Sequence, residues 1–195
     1  MNNLPKAFKK FTITPEILDE KTNYGKFVIE PLERGFGLTI GNALRRVLLS
    51  ALPGASVFAI QINGVQHEFA SLDGVVEDVM TIILNLKDLI IKIDDDSEET
   101  RTLEVEKKGP CTITAKDLKC PGLVNVINPD LEIAHLAKDG KINMKLFVRS
   151  GRGFVTAENN KLLSEHPNQV GVIDTDSNYS PVIKTSYEVE PTRVK

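Results

Sequence analysis

The clearest pattern of hydrophobic positions lies between residues 31 and 54, in the segment PLERGFGLTIGNALRRVLLSALPG. Apolar residues recur there at the three- and four-residue spacing of a helix that buries one face: Ile40, Ala43, Leu44, Val47, Leu48, Ala51 and Leu52. The pattern predicts a helix from Thr39 to Leu52, stopped by Pro53-Gly54. We expect this stripe to anchor the helix on a sheet of the same chain, contributing at most roughly 10–20 kcal/mol.

The opposite face of this helix carries Asn42, Arg45, Arg46 and Leu49. Two adjacent arginines on a helix are usually solvated, and that interpretation is the ordinary one. Leu49 on the same face, and Leu38 just before the helix, are unusual for a surface that meets only water. The combination favours a second surface, directed at a partner.

Alternating and short apolar runs predict strands along the rest of the chain. The predicted strands are Phe27–Ile29, Ser56–Ile62, Leu89–Ile93, Arg101–Val105, Val124–Ile127, Leu131–Leu136, Lys141–Arg149 and Val182–Val189. Ile142, Met144, Leu146 and Val148 share one face of the longest strand. A second helix is predicted from Gly74 to about Asn85, with N-caps in Ser71–Asp73 and an apolar stripe of Leu72, Val75, Val76, Val79, Ile83 and Leu86.

Turn signals arrange several of these strands as hairpins. Asn63-Gly64 predicts a return strand at Val65–Phe69, and Asp139-Gly140 joins Leu131–Leu136 to Lys141–Arg149. The acidic run Asp94–Glu99 lacks calcium-loop spacing, so we interpret it as a solvated hairpin tip rather than a cation site. Residues 107–122 are predicted to be a polar loop, and residues 156–178 to be polar and poor in core residues. Strands outnumber helices, so the fold class is predicted to be α+β with antiparallel sheet.

Composition narrows the class of protein. The chain has 195 residues, is 41% hydrophobic and carries a net charge of −3. These values predict a packed core and disfavour nucleic acid as the main partner. We interpret Arg149-Ser-Gly-Arg152 as a solvated hairpin exit. No apolar run approaches the ~18 residues of a membrane span, and no signal peptide is visible, so no membrane partner is expected.

The candidate chemistry is sparse. Cys111 and Cys120 are interpreted as reduced thiols, and the scattered histidines His67, His135 and His166 do not have metal-ligand spacing. The turn Gly35-Phe-Gly37-Leu-Thr-Ile-Gly41 precedes a helix, as phosphate-binding turns do, but its glycine spacing is one residue too long. Its glycines are expected to allow a tight turn and, at Gly41, close approach of another backbone. We expect no metal and no cofactor.

A catalytic constellation is also not visible. The candidate acids Glu30, Glu33, Glu77 and Asp78 have structural explanations, because Glu33 adjoins Arg34 and the last two lie near a predicted helix start. No serine lies in a nucleophile-elbow pattern. We therefore expect no catalytic residue in this chain.

The segment Pro31–Gly54 closely resembles the N-terminal domain of the alpha subunit of bacterial RNA polymerase. Further matching segments are GVVEDVMTIILNLKDL at residues 74–89, Gly151-Arg152-Gly153, and Tyr179–Val182. The resemblance implies an antiparallel-sheet dimerisation subdomain, residues 1–54 plus 179–195, incomplete at its C-terminal end. An inserted hairpin-rich α+β subdomain, residues 55–178, would interrupt it.

The resemblance also implies a function. Such a chain is a non-catalytic subunit of a nucleotidyltransferase complex; it forms a homodimer and scaffolds assembly of the beta and beta-prime subunits in the bacterial cytosol or a plastid. The family continues beyond Arg193-Val194 into a further strand, a long helix and a DNA-binding domain, so no direct DNA contact is expected from these residues. Two other hypotheses are an unrelated homo-oligomeric domain and a phosphate-binding enzyme.

Site residues follow from the same resemblance, position by position. The implied dimer interface contains Phe36, Leu38, Ile40, Leu44 and Leu48. The implied beta contact is Arg45, Arg46 and Leu49, with Arg46 as its main anchor. The implied beta-prime contact is Lys87, Asp174 and Tyr179.

Overall fold

The structure, a computed structural model, describes residues 10–95, 97, 99–163 and 170–191. The chain divides into two compact units. The first comprises Met1–Leu48 with Lys184–Lys195, and the second comprises Leu49–Ile183. Antiparallel sheets dominate the described residues, which confirms the predicted α+β class.

The first unit contains a two-stranded antiparallel sheet. Strand β1 (Thr12–Asp19) pairs with β2 (Tyr24–Glu30), with a register shift between Pro15 and Ile17. Strand β2 contains the predicted Phe27–Ile29, whereas β1 was not predicted. Cross-strand pairs such as Ile13 with Ile29 place apolar side chains on one face of this hairpin.

Helix α1 (Phe36–Ser50) follows, so it begins three residues before the predicted start and ends two before the predicted end. It starts after Gly35, whose positive φ of 89° suits glycine. None of its residues is buried. The expectation that its stripe packs on a sheet of the chain is therefore wrong: Leu44 is 42% exposed and Val47 51% exposed.

An extended segment lies along α1 instead. The predicted strand Val182–Val189 forms no strand pairing in the described residues. Tyr187 and Val189 of this segment lie against Gly41 and Gly37 of the helix. One side of the helix is thus covered by a single extended segment rather than by a sheet.

The second unit contains the remaining elements. They are β3 (Pro53–Ile62), α2 (Val79–Leu86), β4 (Ile91–Ile93), β5 (Arg101–Lys108), β6 (Cys111–Thr114), β7 (Val124–Val126), β8 (Glu132–Leu136), β9 (Lys141–Arg152), β10 (Phe154–Val155), α3 (Ala157–Leu163), β11 (Val172–Asp174) and β12 (Ser177–Asn178), with one 3-10 turn at Ala115–Asp117.

A six-stranded sheet forms the centre of this unit, with the order β5-β9-β3-β4-β7 and with β11 also paired to β3. Strands β6 and β8 form a separate two-stranded sheet, and so do β10 and β12. The predicted face of β9 is buried, and its four side chains join the core with α2: Ile142, Met144, Leu146 and Val148. Each large aliphatic side chain buried there contributes about 1.5–3 kcal/mol.

The strands were largely predicted, but the three hairpins were wrong. Residues 65–69 form no strand, because β3 already has β9 on one side and β4 and β11 on the other. Strand β5 pairs with β9 rather than β4. Strand β8 pairs with β6, which lies in the predicted loop 107–122, while β9 enters the large sheet.

Helix α2 begins five residues later than predicted. Its N-cap is Asp78, whose carboxylate accepts a hydrogen bond from the Thr81 amide at 2.7 Å, so the predicted caps at Ser71–Asp73 are wrong. Gly74 instead accepts a bond from the Ala137 amide through its carbonyl. Val76 of the predicted stripe is 74% exposed. Helix α3 was missed, because its stretch is polar.

Candidate functional site

The residues implied for a dimer interface lie on α1, and most of them are accessible. Phe36, Leu38, Leu44 and Leu48 are exposed, and Ile40 is partly buried. Phe36, Ile40, Leu44 and Leu48 recur every four residues along one side of the helix. Leu38 lies instead with Leu49, eleven residues later, on the arginine face. An apolar helix side of this size, left open in one chain, is typical of an interaction surface.

The extended segment 184–190, here called the strap, contacts α1 at three regular points. The Arg45 guanidinium donates a hydrogen bond to the Thr185 carbonyl at 2.6 Å. Gly41 faces the Tyr187 ring, and Gly37 faces Val189, where an added Cβ would lie 2.8 Å from a methyl carbon. Two residues of extended chain span nearly the same length as four residues of helix, which explains this matched spacing. Gly41 therefore admits a side chain rather than another backbone.

The residues implied for a beta contact have different environments. Arg45 is engaged by the strap through Thr185. Arg46 is exposed on the helix, and Leu49 is partly buried. Arg45 therefore also binds another segment of the same chain.

Of the residues implied for a beta-prime contact, Lys87 lines a groove of about 320 Å³ in the second unit, whereas Asp174 and Tyr179 are not among its lining residues. Lys87, just after α2, forms an ion pair with Asp176 at 3.2 Å. Both side chains line the groove, together with Phe154 and Asn178 at its edge. Asp176 was not singled out in the sequence.

Asp174 is the last residue of β11, two positions before Asp176. Burial raises the pKa of its carboxyl group, and the nearby Lys161 partly opposes that rise. One carboxylate oxygen, Oδ1, is buried with no hydrogen-bond partner in the part of the chain that the structure describes. The pairing of β11 with β3 sets this position, since Asp174 lies opposite Ala59.

Tyr179 is 2% exposed, so its ring does not form an accessible surface. Its hydroxyl accepts a hydrogen bond from Nε of Arg149 at 3.0 Å. Gly151 lies under the ring, where a Cβ would come within 2.9 Å of it. Tyr179 therefore holds Arg149 and the backbone at Gly151 in place, and its own side chain is not accessible to a partner.

Arg149 belongs to a buried polar network, which corrects its interpretation as a solvated hairpin exit. Its guanidinium lies 4.5 Å above the Phe58 ring and donates to Oδ1 of Asn160 at 2.6 Å. Asn160 in turn donates to the Thr175 carbonyl at 2.7 Å and to the Ser177 hydroxyl at 2.9 Å. The network connects α3 to β9 and to residues 175–177, of which Thr175 and Asp176 line the groove.

A histidine–carboxylate pair lies beside β8. Glu77 accepts a hydrogen bond from the His135 backbone amide at 2.7 Å and contacts the ring nitrogen Nδ1 at 2.6 Å. Glu77 raises the pKa of His135. Burial alone would raise the pKa of Glu77, but the two bonds to His135 bring it below its usual value. The pair joins the segment before α2 to β8.

The acidic run and the cysteines, considered in the sequence as candidate sites, have only structural contacts in the described residues. Arg101 contacts Asp95 at 2.6 Å and Glu99 at 2.7 Å, while Asp96 and Glu98 of the acidic run lie outside the described residues. Cys111 and Cys120 are not bridged. Within the described ranges, no group of three His, Cys, Asp or Glu side chains could hold a metal ion. None of the described helices has the length and apolar character to cross a membrane.

Comparison with known proteins connects these surfaces to a family. The model of the RNA polymerase Rpb3/RpoA insert domain matches residues 60–180, all of which lie in the second unit. A DNA-directed RNA polymerase subunit alpha from Carboxydothermus hydrogenoformans is 53% identical over 182 residues. The match covers 92% of this chain and 56% of that protein, so the chain spans little more than half the length of its relative.

These matches confirm the resemblance that the motifs at residues 31–54 and 74–89 indicated. The family match covers most of the second unit, and the relative aligns with nearly the whole chain. The chain belongs to the family of the RNA polymerase Rpb3/RpoA insert domain.

Proposed function

We propose that this chain is an alpha-type assembly subunit of a DNA-directed RNA polymerase. In this role it forms a homodimer, and the dimer gathers the beta and beta-prime subunits while contributing no catalytic residue, cofactor or DNA contact of its own. It would act where such polymerases act, in the bacterial cytosol or a plastid. The 53% identity to a subunit of that name supports the proposal.

The observation that carries the proposal is the open apolar side of α1. Phe36, Leu44 and Val47 are each between 42% and 51% exposed on a helix that has no buried residue. Leaving such side chains in water forgoes the stabilisation that burial would give. A second copy of the same helix is a natural cover, because a twofold interface pairs the same patch on both subunits.

In this proposal, the discontinuous dimerisation subdomain is residues 1–54 with 179–195, and residues 55–178 form the inserted subdomain. The compact units have somewhat different boundaries, after Leu48 and after Ile183. The difference moves the last residues of α1, including Leu49, into the second unit. The proposed dimer residues Phe36, Leu38, Ile40, Leu44 and Leu48 all lie in the first unit.

The two large subunits are assigned to different surfaces. Arg46 and Leu49 are proposed as the beta contact together with Arg45, which also holds the strap. Lys87, Asp174 and the groove beside Tyr179 are proposed as the beta-prime contact. A paired arginine that loses its partner at such an interface costs about 2–5 kcal/mol.

Self-association tests the dimer part of this proposal. We expect light scattering to give a dimeric mass for the chain, and Leu44→Glu to shift it to monomer, because a carboxylate in an apolar interface is desolvated without a partner. Leu84→Glu is the matched control, since Leu84 is an exposed leucine on α2. A monomeric wild-type chain, or a Leu44→Glu variant that stays dimeric, would overturn the proposed interface.

A further inference from the structure

The groove beside α2 has an apolar floor and a charged rim. Its floor consists of buried aliphatic side chains from β3 and α2: Val57, Ile60, Ile83 and Leu86. Phe154 forms part of its wall and is 64% exposed, although it is one of the larger apolar side chains of the unit. The pairing of Phe154 with Asn178 holds this ring beside the groove.

The rim carries more negative than positive charge. Lys87 contributes one positive charge, whereas Asp88 and Asp176 contribute two negative charges, so the lining residues sum to −1. The Ala157 amide, at 2.9 Å, and then Lys87 hold the pKa of Asp176 below its usual value. Asp176 is therefore ionised at neutral pH, and the groove favours a cation over an anion.

The lining also discriminates among cations. An exposed aromatic face attracts a cationic group, and a planar guanidinium stacks on it while still donating hydrogen bonds to carboxylates. The aliphatic stem of an arginine would cover the floor of Val57 and Ile83 while its head stays at the rim. An apolar side chain would leave the rim carboxylates unmatched, and an acidic one would be repelled by Asp88 and Asp176.

We infer that this groove receives an arginine side chain of the large subunit that docks here. The inference rests on the proposed function, in which the groove belongs to the beta-prime contact. The guanidinium stacks on Phe154 and bonds to the carboxylates of Asp88 and Asp176. Lys87 is paired with Asp176, and its positive charge disfavours a further cation in the groove once one arginine has bound.

A small-molecule titration tests the groove without any partner subunit. The chain, isotope-labelled for NMR, is titrated with N-acetyl-arginine amide and, separately, with the matching norleucine and glutamate amides. We expect arginine alone to shift the amide signals of Lys87, Asp176 and Asn178. Equal shifts with norleucine, stronger shifts with glutamate, or no shift with arginine would each overturn the inference.

A second experiment measures binding to the isolated beta-prime subunit. We expect Phe154→Leu, which keeps an apolar side chain but removes the aromatic face, to weaken binding about threefold to tenfold. Asp88→Asn should also weaken binding and reduce its salt dependence. Phe69→Leu is the matched control, since Phe69 is exposed and does not line the groove.

The two experiments separate the inference from the proposed function. If the wild-type chain does not bind beta-prime, the proposed contact fails, and a positive arginine titration then shows only that the groove binds a guanidinium. If the wild type binds and both groove variants bind equally well, the inference fails while the proposed function stands.

Discussion

At the residue scale, Asn160 shows how one side chain organises the groove region. It is fully buried on α3, and each of its polar atoms has a partner: Arg149 for the oxygen, and Thr175 and Ser177 for the nitrogen. Nothing in the sequence distinguished it from Asn159 beside it, because short polar stretches have no periodicity. The buried position depends on which strands the helix meets, and that is a tertiary property.

We expect Asn160→Leu to lower the free energy of unfolding by about 2–4 kcal/mol, because it removes the hydrogen bonds of Asn160 to the Arg149 guanidinium and to the buried Thr175 carbonyl. Asn159→Leu, at the exposed neighbouring position, should change it by less than about 0.5 kcal/mol. Urea unfolding followed by circular dichroism would measure both. Equal effects of the two substitutions would contradict the assigned network.

The pair of His135 and Glu77 predicts a pH dependence of stability. The folded pKa of His135 is raised, so its contribution is complete below the unfolded value of about 6.5 and is lost as pH rises through the folded pKa. The folded pKa of Glu77 is lowered, so its contribution is present above about 4.5 and is lost as the solution becomes more acidic.

Consequently, as pH rises above about 6.5, the free energy of unfolding should fall more steeply in the wild type than in His135→Gln. Urea titrations at several pH values would measure this slope, with the exposed His67→Gln as control. Parallel curves for wild type and His135→Gln would show that the pair does not couple to folding.

At the element scale, hydrophobic periodicity located strands and the long helix but not their partners. The alternation in Lys141–Arg149 predicted the buried face of β9, because alternation reports only that one side of a strand meets the core. It does not report which strand lies alongside. The Asp139-Gly140 turn is present, yet Gly140 packs tightly against Gly74, and β8 and β9 enter different sheets.

The same limit applies to α1. Its stripe predicted a helix correctly, but the assumption that an amphipathic helix covers its own sheet was wrong. Gly37 was interpreted as a turn residue and Gly41 as a point of close approach for another backbone, whereas both let side chains of the strap approach the helix. A four-residue glycine spacing inside a helix is the sequence signal for such close approach, and Tyr187 and Val189 supply the matching two-residue spacing.

We predict that Gly41→Ala loosens the strap. Alanine in a helix normally gains up to about 1 kcal/mol over glycine. Here the new methyl group would overlap the Tyr187 ring, so the strap must shift. Hydrogen exchange should become faster at residues 185–189 in this variant and stay unchanged in Asn42→Ala, on the exposed helix face. Unchanged hydrogen exchange in both variants would contradict the proposed packing of the strap against Gly41.

At the scale of the whole molecule, the sequence motifs were enough to place the chain in its family, because the segments at residues 31–54 and 74–89 are long and specific. They could not say which side chains stay accessible. Tyr179 lies in a matching segment and is nevertheless 2% exposed, and the partly buried Arg149 donates a hydrogen bond to its hydroxyl. Phe154 directly follows the matching segment Gly151-Arg152-Gly153, but its exposed position beside the groove depends on the pairing of β10 with β12.

The most direct test of the central claim is the stoichiometry of the complex between this chain and a separately expressed beta subunit. Light scattering coupled to size-exclusion chromatography should give two copies of the chain for each beta subunit. Arg46→Ala should abolish that complex while remaining dimeric, and Arg152→Ala, at an exposed arginine of β9, should leave it intact. A complex with one copy of the chain, or full binding by Arg46→Ala, would contradict the account of a dimeric assembly subunit.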